Sequence, residues 1–421
     1  MSNDDSQRSA VSTLDPRPSA LGPDSPRTAP HGMQPGGVDF NMNPFVVIWE
    51  MTRACDLACV HCRAAAQSRR SQFELTTDQG YALIDQIALL KPRVFVITGG
   101  DPLKREDLYD MIAYARKIGL EPSVTPSATP LLTEESIASM KQHGVARLAI
   151  SLDASHAAAH DDFRRVQGSF DLTIRAIRAA EREGIPVQIN TSITRRTVGD
   201  IERLANLLTQ FSNVVMWSVF FVVPTGRAKT GDMIDPQEVE DLFALLYGIS
   251  KRVAFNIRTT EAMHYRRYVL QQIMQAQGKT TDELIDPKTG VIDASTLFMG
   301  MAPQHAPLGV QMQTGAITRA PRGVNEAKGF VFISHIGDVF PSGFLPLKAG
   351  NVKKESLVDI YRSSTLFMEL RDSSRLKGKC GVCEFRELCG GSRSRAWSVT
   401  GDVFESDPTC TYEPRALAAH A

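Results

Sequence analysis

FVVIWEMTRACDLACVHCRAAA (45–66) begins as a strand-forming apolar run and leads straight into three cysteines, Cys55, Cys59 and Cys62. Their spacing is CxxxCxxC. Thiolates are the usual ligands of iron–sulfur clusters. Three of them on one short loop hold three irons of a four-iron, four-sulfur cluster and leave the fourth iron without a protein ligand. A small molecule binds there, and chemistry starts there. The alternative is a structural zinc with His61 as fourth ligand, for which a three-residue gap followed by a two-residue gap is uncommon. Three buried structural cysteines fit poorly in so polar and turn-like a loop.

Outward from this loop, strand and helix patterns alternate. FVVIW (45–49), RVFVIT (93–98), PSVTPS (122–127), RLAISLD (147–153), PVQINTSIT (186–194) and NVVMWSVFFVV (213–223) read as strands. Helical periodicity occupies 76–90, 105–119, 134–144, 170–184 and 199–211, with a Thr-Thr-Asp start on the first and Gly144 and Gly184 closing two others. Such alternation means a parallel sheet with crossover helices. Six units fall short of the eight-fold closed barrel, so the expected fold is α/β, a partial (β/α)6 barrel open on one side. Its active groups are expected at the C-terminal ends of the strands.

The rest of the chain is less rhythmic. Helices are expected over 235–251 and 263–277. Residues 278 to about 328 carry no clear period, and a stretch that long reads as a lid or substrate wall. GFVFISHIGDVFPSG (329–343) reads as a hairpin and 356–371 as one amphipathic helix. The expected organisation is a disordered arm over 1–40, a core over 41–260, a bridging segment over 261–328 and a small C-terminal domain over 329–421. A length of 421 residues suits a large domain plus a smaller one.

Charge and cysteine usage narrow the class. Lys+Arg and Asp+Glu are both 47, so no global field draws the chain to nucleic acid or an anionic membrane. All 7 cysteines fall in two clusters, which reads as metal ligation in a reducing compartment and not as a disulfide framework. With no signal-peptide core and no long apolar run, the expected location is the cytoplasm.

Polar residues gather at the expected strand ends. ITGGDPL (97–103) puts Gly99 and Gly100 after the second strand, where backbone groups can meet a ligand unobstructed. Ser127 ends the third strand, Ser151 and Asp153 the fourth, and Asn190 lies on the fifth. Hydroxyls, an amide and a carboxylate on one rim suit an amino acid plus a ribose. At the other end of the chain, KCGVCEFRELCGGSRSRAWSVTGDVFESDPTC supplies Cys380, Cys383, Cys389 and Cys410. Four thiolates saturate a four-iron cluster and suit an electron carrier; a zinc ribbon uses four cysteines as well.

CxxxCxxC, GGDP and the strand-end SLD together resemble the radical S-adenosylmethionine enzymes over about residues 44 to 225. The resemblance implies a [4Fe-4S] cluster on Cys55, Cys59 and Cys62, with S-adenosylmethionine chelating its open iron. It further implies one-electron cleavage to a 5′-deoxyadenosyl radical that abstracts hydrogen. It assigns Gly99 and Gly100 to the methionine amino group and His61 to the neighbourhood of the adenine. Asp101 stands where the family usually has Glu. Arg164 and Arg165 are equal candidates for the methionine carboxylate. The second cysteine segment resembles the SPASM auxiliary-cluster domain, which often carries two clusters. Here Ser342 and Arg393 stand near positions where ligands of the first would be, so one auxiliary [4Fe-4S] cluster is expected.

Both cysteine segments also resemble the haem synthases of the sirohaem-dependent route, which implies oxidative decarboxylation of propionates on iron-coproporphyrin. Arg266, Arg267, Arg393 and Arg395 are candidate partners for those propionates. A peptide maturase is the second reading, and a non-catalytic electron-transfer protein the third. A reductive enzyme of this class implies an electron donor such as flavodoxin or ferredoxin.

Overall fold

The apolar run before the cysteines forms β1 (Val46–Glu50) in the computed structural model, which describes residues 39–292 and 323–418. From there the chain follows the expected alternation: α1 (Thr77–Leu89), β2 (Val94–Thr98), α2 (Leu108–Lys117), β3 (Pro122–Val124), α3 (Glu134–Gln142) and β4 (Arg147–Ser151). Two helices, α4 (Ala157–Arg164) and α5 (Ser169–Arg182), lead to β5 (Val187–Ile193). Then come α6 (Ile201–Leu208), β6 (Val214–Phe221) and α7 (Pro236–Ser250). Local chemistry sets the starts. Thr76 and Gln79 form a reciprocal capping box on α1, and Asp235 and Glu238 form another on α7 with Pro236 at its first turn.

All neighbours among β1 to β6 pair in parallel, and each strand is hydrogen-bonded to the next in sequence. The crossover helices turn one apolar face to the sheet: Leu83, Ile84 and Ile87 of α1 are buried with Val47 and Trp49 of β1 in a common core. The fold is the expected α/β, open and barrel-like.

Two strands extend it beyond the six units. β7 (Asn256–Thr260) adds to β6, and β8 (Phe330–Ile333) adds to the far side of β1, both in parallel. β7 is NIRTT, exposed to half-buried throughout, so it carries no apolar alternation to read. The hairpin expected at 329–343 forms between β8 and β9 (Asp338–Phe340), and β10 (Gly350–Asn351) completes the edge. What the sequence did not suggest is that the hairpin joins the main sheet, in the order β10-β9-β8-β1-β2-β3-β4-β5-β6-β7.

α8 (Tyr265–Ala276) follows β7 as expected. The single helix expected over 356–371 is two, α9 (Leu357–Ser363) and α10 (Thr365–Arg371). Ser364 between them is extended and its hydroxyl accepts the Phe367 N–H at 3.4 Å, the behaviour of a serine N-cap. The break lets Tyr361 and Phe367 both be fully buried, edge to face at 5.6 Å. α11 (Gly378–Val382), α12 (Arg393–Thr400) and α13 (Arg415–Ala418) end the described chain. Residues 1–38, and 293–322 of the expected lid, lie outside the described residues. Among the described residues no helix is long and apolar enough to cross a membrane.

Candidate active site

The loop after β1 is closed on itself before it holds anything. Cys55 N donates to Gln67 O at 2.8 Å and Gln67 N to Arg53 O at 3.1 Å. Arg227, arriving from beyond β6, donates to Cys59 O at 2.9 Å and Ala66 O at 2.6 Å. Gly226 has φ +62°, and a Cβ there would lie 2.3 Å from Arg63 O and 2.4 Å from Cys62 O, so only glycine fits. Gly99 and Gly100 do a related job. A Cβ on Gly100 would lie 2.5 Å from Ala54 O and one on Gly99 2.7 Å from Thr52 O. Their first role is therefore to let the β2 rim press against the cysteine loop, while both still line the pocket.

That pocket, about 1190 Å³, opens at the C-terminal ends of β2 to β6 and is lined by Cys55, Cys59 and Cys62 on one side. Gly99, Gly100, Ser127 and Ser151 line it from successive strand ends, and Asn190 from within β5. Donors reach the sulfurs: Leu57 N to Cys55 Sγ at 3.3 Å, Ala66 N to Cys62 Sγ at 3.4 Å, and Arg164 Nη1 to Cys59 Sγ at 3.6 Å. The Cys55 thiol donates to Ser127 Oγ at 3.4 Å, which donates on to Gly100 O at 2.7 Å. Burial pushes the Cys55 and Cys59 thiols up, so a metal taken here displaces protons.

The two carboxylates of the expected rim stand behind it. Asp101 is fully buried and accepts from Thr129 Oγ1 at 2.8 Å and from the Ser127 and Leu103 N–H groups. Asp153 is fully buried against Arg164, 2.5 Å from Nη2 and 2.7 Å from Nε. Burial alone would raise the Asp153 carboxyl, but the Arg164 guanidinium together with His61, His160 and the Ser192 N–H holds the group below its usual range. Both residues position others; neither lines the pocket. The geometry also separates the two adjacent arginines. Arg164 ends α4, lines the pocket and reaches Cys59. Arg165 adopts φ +59° and turns to an exposed pair with Asp162 at 2.8 Å.

His61 lines the pocket, stacked on Phe163 with centroids 4.3 Å apart. Burial brings its pKa down to about 4, so the ring is neutral, and its buried Nδ1 has no partner among the described residues. His160 is a lining residue the sequence did not single out; it too falls to about 4 through burial and accepts the Asp153 N–H at 3.2 Å. Arg63, Ser192, Phe220 and Phe344 were missed as well. Arg63 alone had a signal, its place directly after Cys62.

The four C-terminal cysteines line a second, smaller pocket of about 450 Å³ with His264, Phe385, Asp407 and Tyr412. Burial raises Cys383 to about 12 and Cys410 to about 11; burial followed by the Cys380 and Cys410 thiols also pushes Cys389 well up. Gly391 has φ +64°, gives its N–H to Cys389 Sγ at 3.3 Å, and would place a Cβ 2.9 Å from the Asp407 Cβ. Among the described residues, no three or more His, Cys, Asp or Glu side chains form a group arranged around a single metal ion.

The arginines assigned from sequence to substrate carboxylates are engaged elsewhere. Arg393 donates to Val403 O, Glu405 O and Cys380 Sγ. Arg395 holds Asp407 at 3.0 Å and the Glu261 carbonyl at 2.6 Å. Arg266 donates to Leu388 O and Val324 O, and Arg267 pairs with Glu240. None lines the first pocket. Each instead satisfies a backbone or carboxylate acceptor. Ser342 donates to Glu261 Oε1 at 3.3 Å, in a buried cluster with Ser392, Ser394 and Glu326. Burial and then the neighbouring Glu326 carboxylate push Glu261 well up.

An open parallel α/β barrel with three loop cysteines at the strand ends defines a class, and the comparisons agree with it. Residues 49–208 match the model of the radical SAM superfamily. The chain is 34% identical to the AdoMet-dependent heme synthase of Methanosarcina barkeri over 88% of its own length and 97% of that protein. It is 36% identical to the AdoMet-dependent heme synthase of Nitratidesulfovibrio vulgaris over 88% and 93%. Its fold is similar to Streptococcus suis SuiB bound to S-adenosylmethionine, at a TM-score of 0.64 and 15% identity over 88% of this chain and 78% of that one. The chain belongs to the radical SAM superfamily and, within it, to the family of the AdoMet-dependent heme synthases. Membership implies a [4Fe-4S] cluster and S-adenosylmethionine.

Proposed function

We propose that this enzyme oxidatively decarboxylates propionate side chains of an iron tetrapyrrole. The observation that carries the reading is the make-up of the large pocket: three loop cysteines, a polar strand-end rim and, among the described lining residues, two arginines and no aspartate or glutamate. Such a pocket suits a nucleoside cofactor beside a polyanionic substrate.

The residues fit the cofactors chemically. Cys55, Cys59 and Cys62 hold the cluster, and Gly99, Gly100, Ser127, Ser151 and Asn190 meet S-adenosylmethionine. When bound, these groups supply a 5′-deoxyadenosyl radical. Arg164, fixed by Asp153, meets the methionine carboxylate. His61, neutral and stacked on Phe163, offers a flat face beside the adenine.

Hydrogen loss from the propionate's own ring-attached methylene, β to its carboxylate, leaves a carbon radical. When the bond to the carboxyl carbon breaks, CO₂ departs, a vinyl double bond forms and one electron is left over. Cys380, Cys383, Cys389 and Cys410 are the residues suited to hold its acceptor, a single auxiliary [4Fe-4S] cluster in a SPASM-like segment. The engagement of Ser342 with Glu261 and of Arg393 with backbone carbonyls supports one such cluster and not two. An external donor such as flavodoxin or ferredoxin starts the cycle. The test is anaerobic incubation with iron-coproporphyrin III, S-adenosylmethionine and reductant, followed by mass spectrometry. Loss of CO₂ from the tetrapyrrole is expected; 5′-deoxyadenosine formed without any change in the tetrapyrrole would sink the reading.

A further inference from the structure

Arg63 follows the third cysteine, and its backbone is pinned by the glycine contact at Gly226. Its guanidinium donates to Glu50 Oε2 at 2.5 Å and to Gly343 O at 3.3 Å, and lies 4.5 Å from the Phe332 ring centroid. Glu50 ends β1, is 3% exposed, and has His335 Nδ1 3.2 Å from its other oxygen. Burial alone would raise the Glu50 carboxyl; Arg63 first, and then His335, hold it below its usual value. Glu50 thus holds one end of the guanidinium through Nη2.

Among the described residues that line the pocket, Arg63 and Arg164 are the only arginines or lysines. Arg164 is occupied twice over by Asp153 and reaches a cluster cysteine. Arg63 keeps 22% of its side chain exposed, against 11% for Arg164. A guanidinium has five N–H donors in a fork that matches a carboxylate. Glu50 and Gly343 leave part of that fork unused. Phe332 under the guanidinium adds a cation–π contact that keeps the charge in place.

We propose that Arg63 anchors a carboxylate of the substrate at the pocket, a propionate of the tetrapyrrole, and so sets which face of the macrocycle meets the radical. The proposal rests on the tetrapyrrole reading above. The anchored carboxylate is one that stays, because a cation that stabilises a carboxylate opposes its departure as CO₂. Glu50 is a positioning residue: it touches no substrate and acts through Arg63.

The test is a binding cycle on the full chain. Dissociation constants are measured by tryptophan-fluorescence quenching for iron-coproporphyrin III and for its fully methyl-esterified form, with wild type, Arg63→Gln and Arg63→Lys. Wild type is expected to prefer the free acid. Arg63→Gln should weaken the free acid about tenfold or more while changing the ester by less than about twofold. Arg63→Lys keeps a cation beside Glu50 and serves as the folded control; it should fall between the two, since it lacks the fork. Equal weakening of acid and ester in Arg63→Gln would reduce Arg63 to a loop support and overturn the assignment, as would no change in either. Failure of wild type to bind either ligand would bring down the tetrapyrrole reading and this assignment with it, whereas binding indifferent to Arg63 sinks the assignment alone.

Discussion

The two cysteine pockets solve opposite problems. The first takes three cysteines from an eight-residue stretch, Cys55 to Cys62, and sets them on the edge of about 1190 Å³ bordered by strand ends. The second takes four from a 31-residue stretch, Cys380 to Cys410, and folds them around about 450 Å³ walled by Phe385 and Tyr412. On the function proposed above, three cysteines beside the larger cavity leave room for a reaction, and four in a partly aromatic wall suit storage of an electron, since little has to rearrange when its charge changes.

The largest effects should come from breaking that asymmetry. Replacing Cys55, Cys59 or Cys62 by Ala is expected to abolish 5′-deoxyadenosine formation. Cys383→Ala should retain that cleavage and lose the decarboxylated product, both read by chromatography under anaerobic conditions. Product from Cys383→Ala at the wild-type rate would make the second pocket dispensable and end the comparison.

Glycines sharpen it next. Gly226→Ala and Gly391→Ala each force a Cβ into a left-handed backbone position and into a neighbour. Each should damage its own pocket alone. Of about eight irons in two four-iron clusters, either variant is expected to lose about half after reconstitution. Gly226→Ala should also lose cofactor cleavage, and Gly391→Ala should keep it. Equal iron loss from both sites in either variant would mean that the pockets fold as one unit.

Asp153→Asn tests the support behind the first pocket. Removing one member of a buried ion pair typically costs about 3–5 kcal/mol, because the other charge is left unpaired. Thermal unfolding should drop accordingly, and affinity for S-adenosylmethionine should fall with it as Arg164 loses its aim. An unchanged melting temperature would show that Arg164 finds another partner.

The sequence made the first pocket far easier to read than the second. Its cysteines are local, and its rim residues sit at, near or, for Asn190, within strands that have their own apolar patterns, so Gly99, Ser127, Ser151 and Asn190 could be found one strand at a time. Which groups face the cavity was not legible. Asp101 and Asp153 looked like ligands because a carboxylate at a strand end does, yet the folded chain uses them to hold Ser127 and Arg164. The substrate arginines failed for a related reason. Arg393 and Arg395 sit among cysteines in sequence, but long side chains go where buried carbonyls and Asp407 need donors, which depends on contacts from β6, β7 and the segment 402–409. Arg63 went unremarked although it adjoins Cys62, because its meaning comes from Glu50 and Gly343, distant in sequence.

The smallest expected effect concerns a histidine in the wall of the second pocket. His264 is buried, neither ring nitrogen has a hydrogen-bond partner among the described residues, and burial lowers its pKa to about 4 despite Asp407 nearby. Its ring meets Phe243 edge to face at 4.8 Å. A histidine held neutral in the fold contributes stability that is complete above its unfolded pKa, near 6.5, and is lost as pH falls toward 4. His264→Phe keeps the aromatic contact and removes the titration. It should therefore melt within a few degrees of wild type at pH 8 and lose less stability than wild type between pH 6.5 and 4.5. His160 in the first pocket shares the direction and the value, but its ring accepts the Asp153 N–H, so His160→Phe should cost stability at every pH. If the two phenylalanine variants behave alike, the second pocket is no more apolar in its demands than the first, and its fitness for storing charge must come from the cysteines alone.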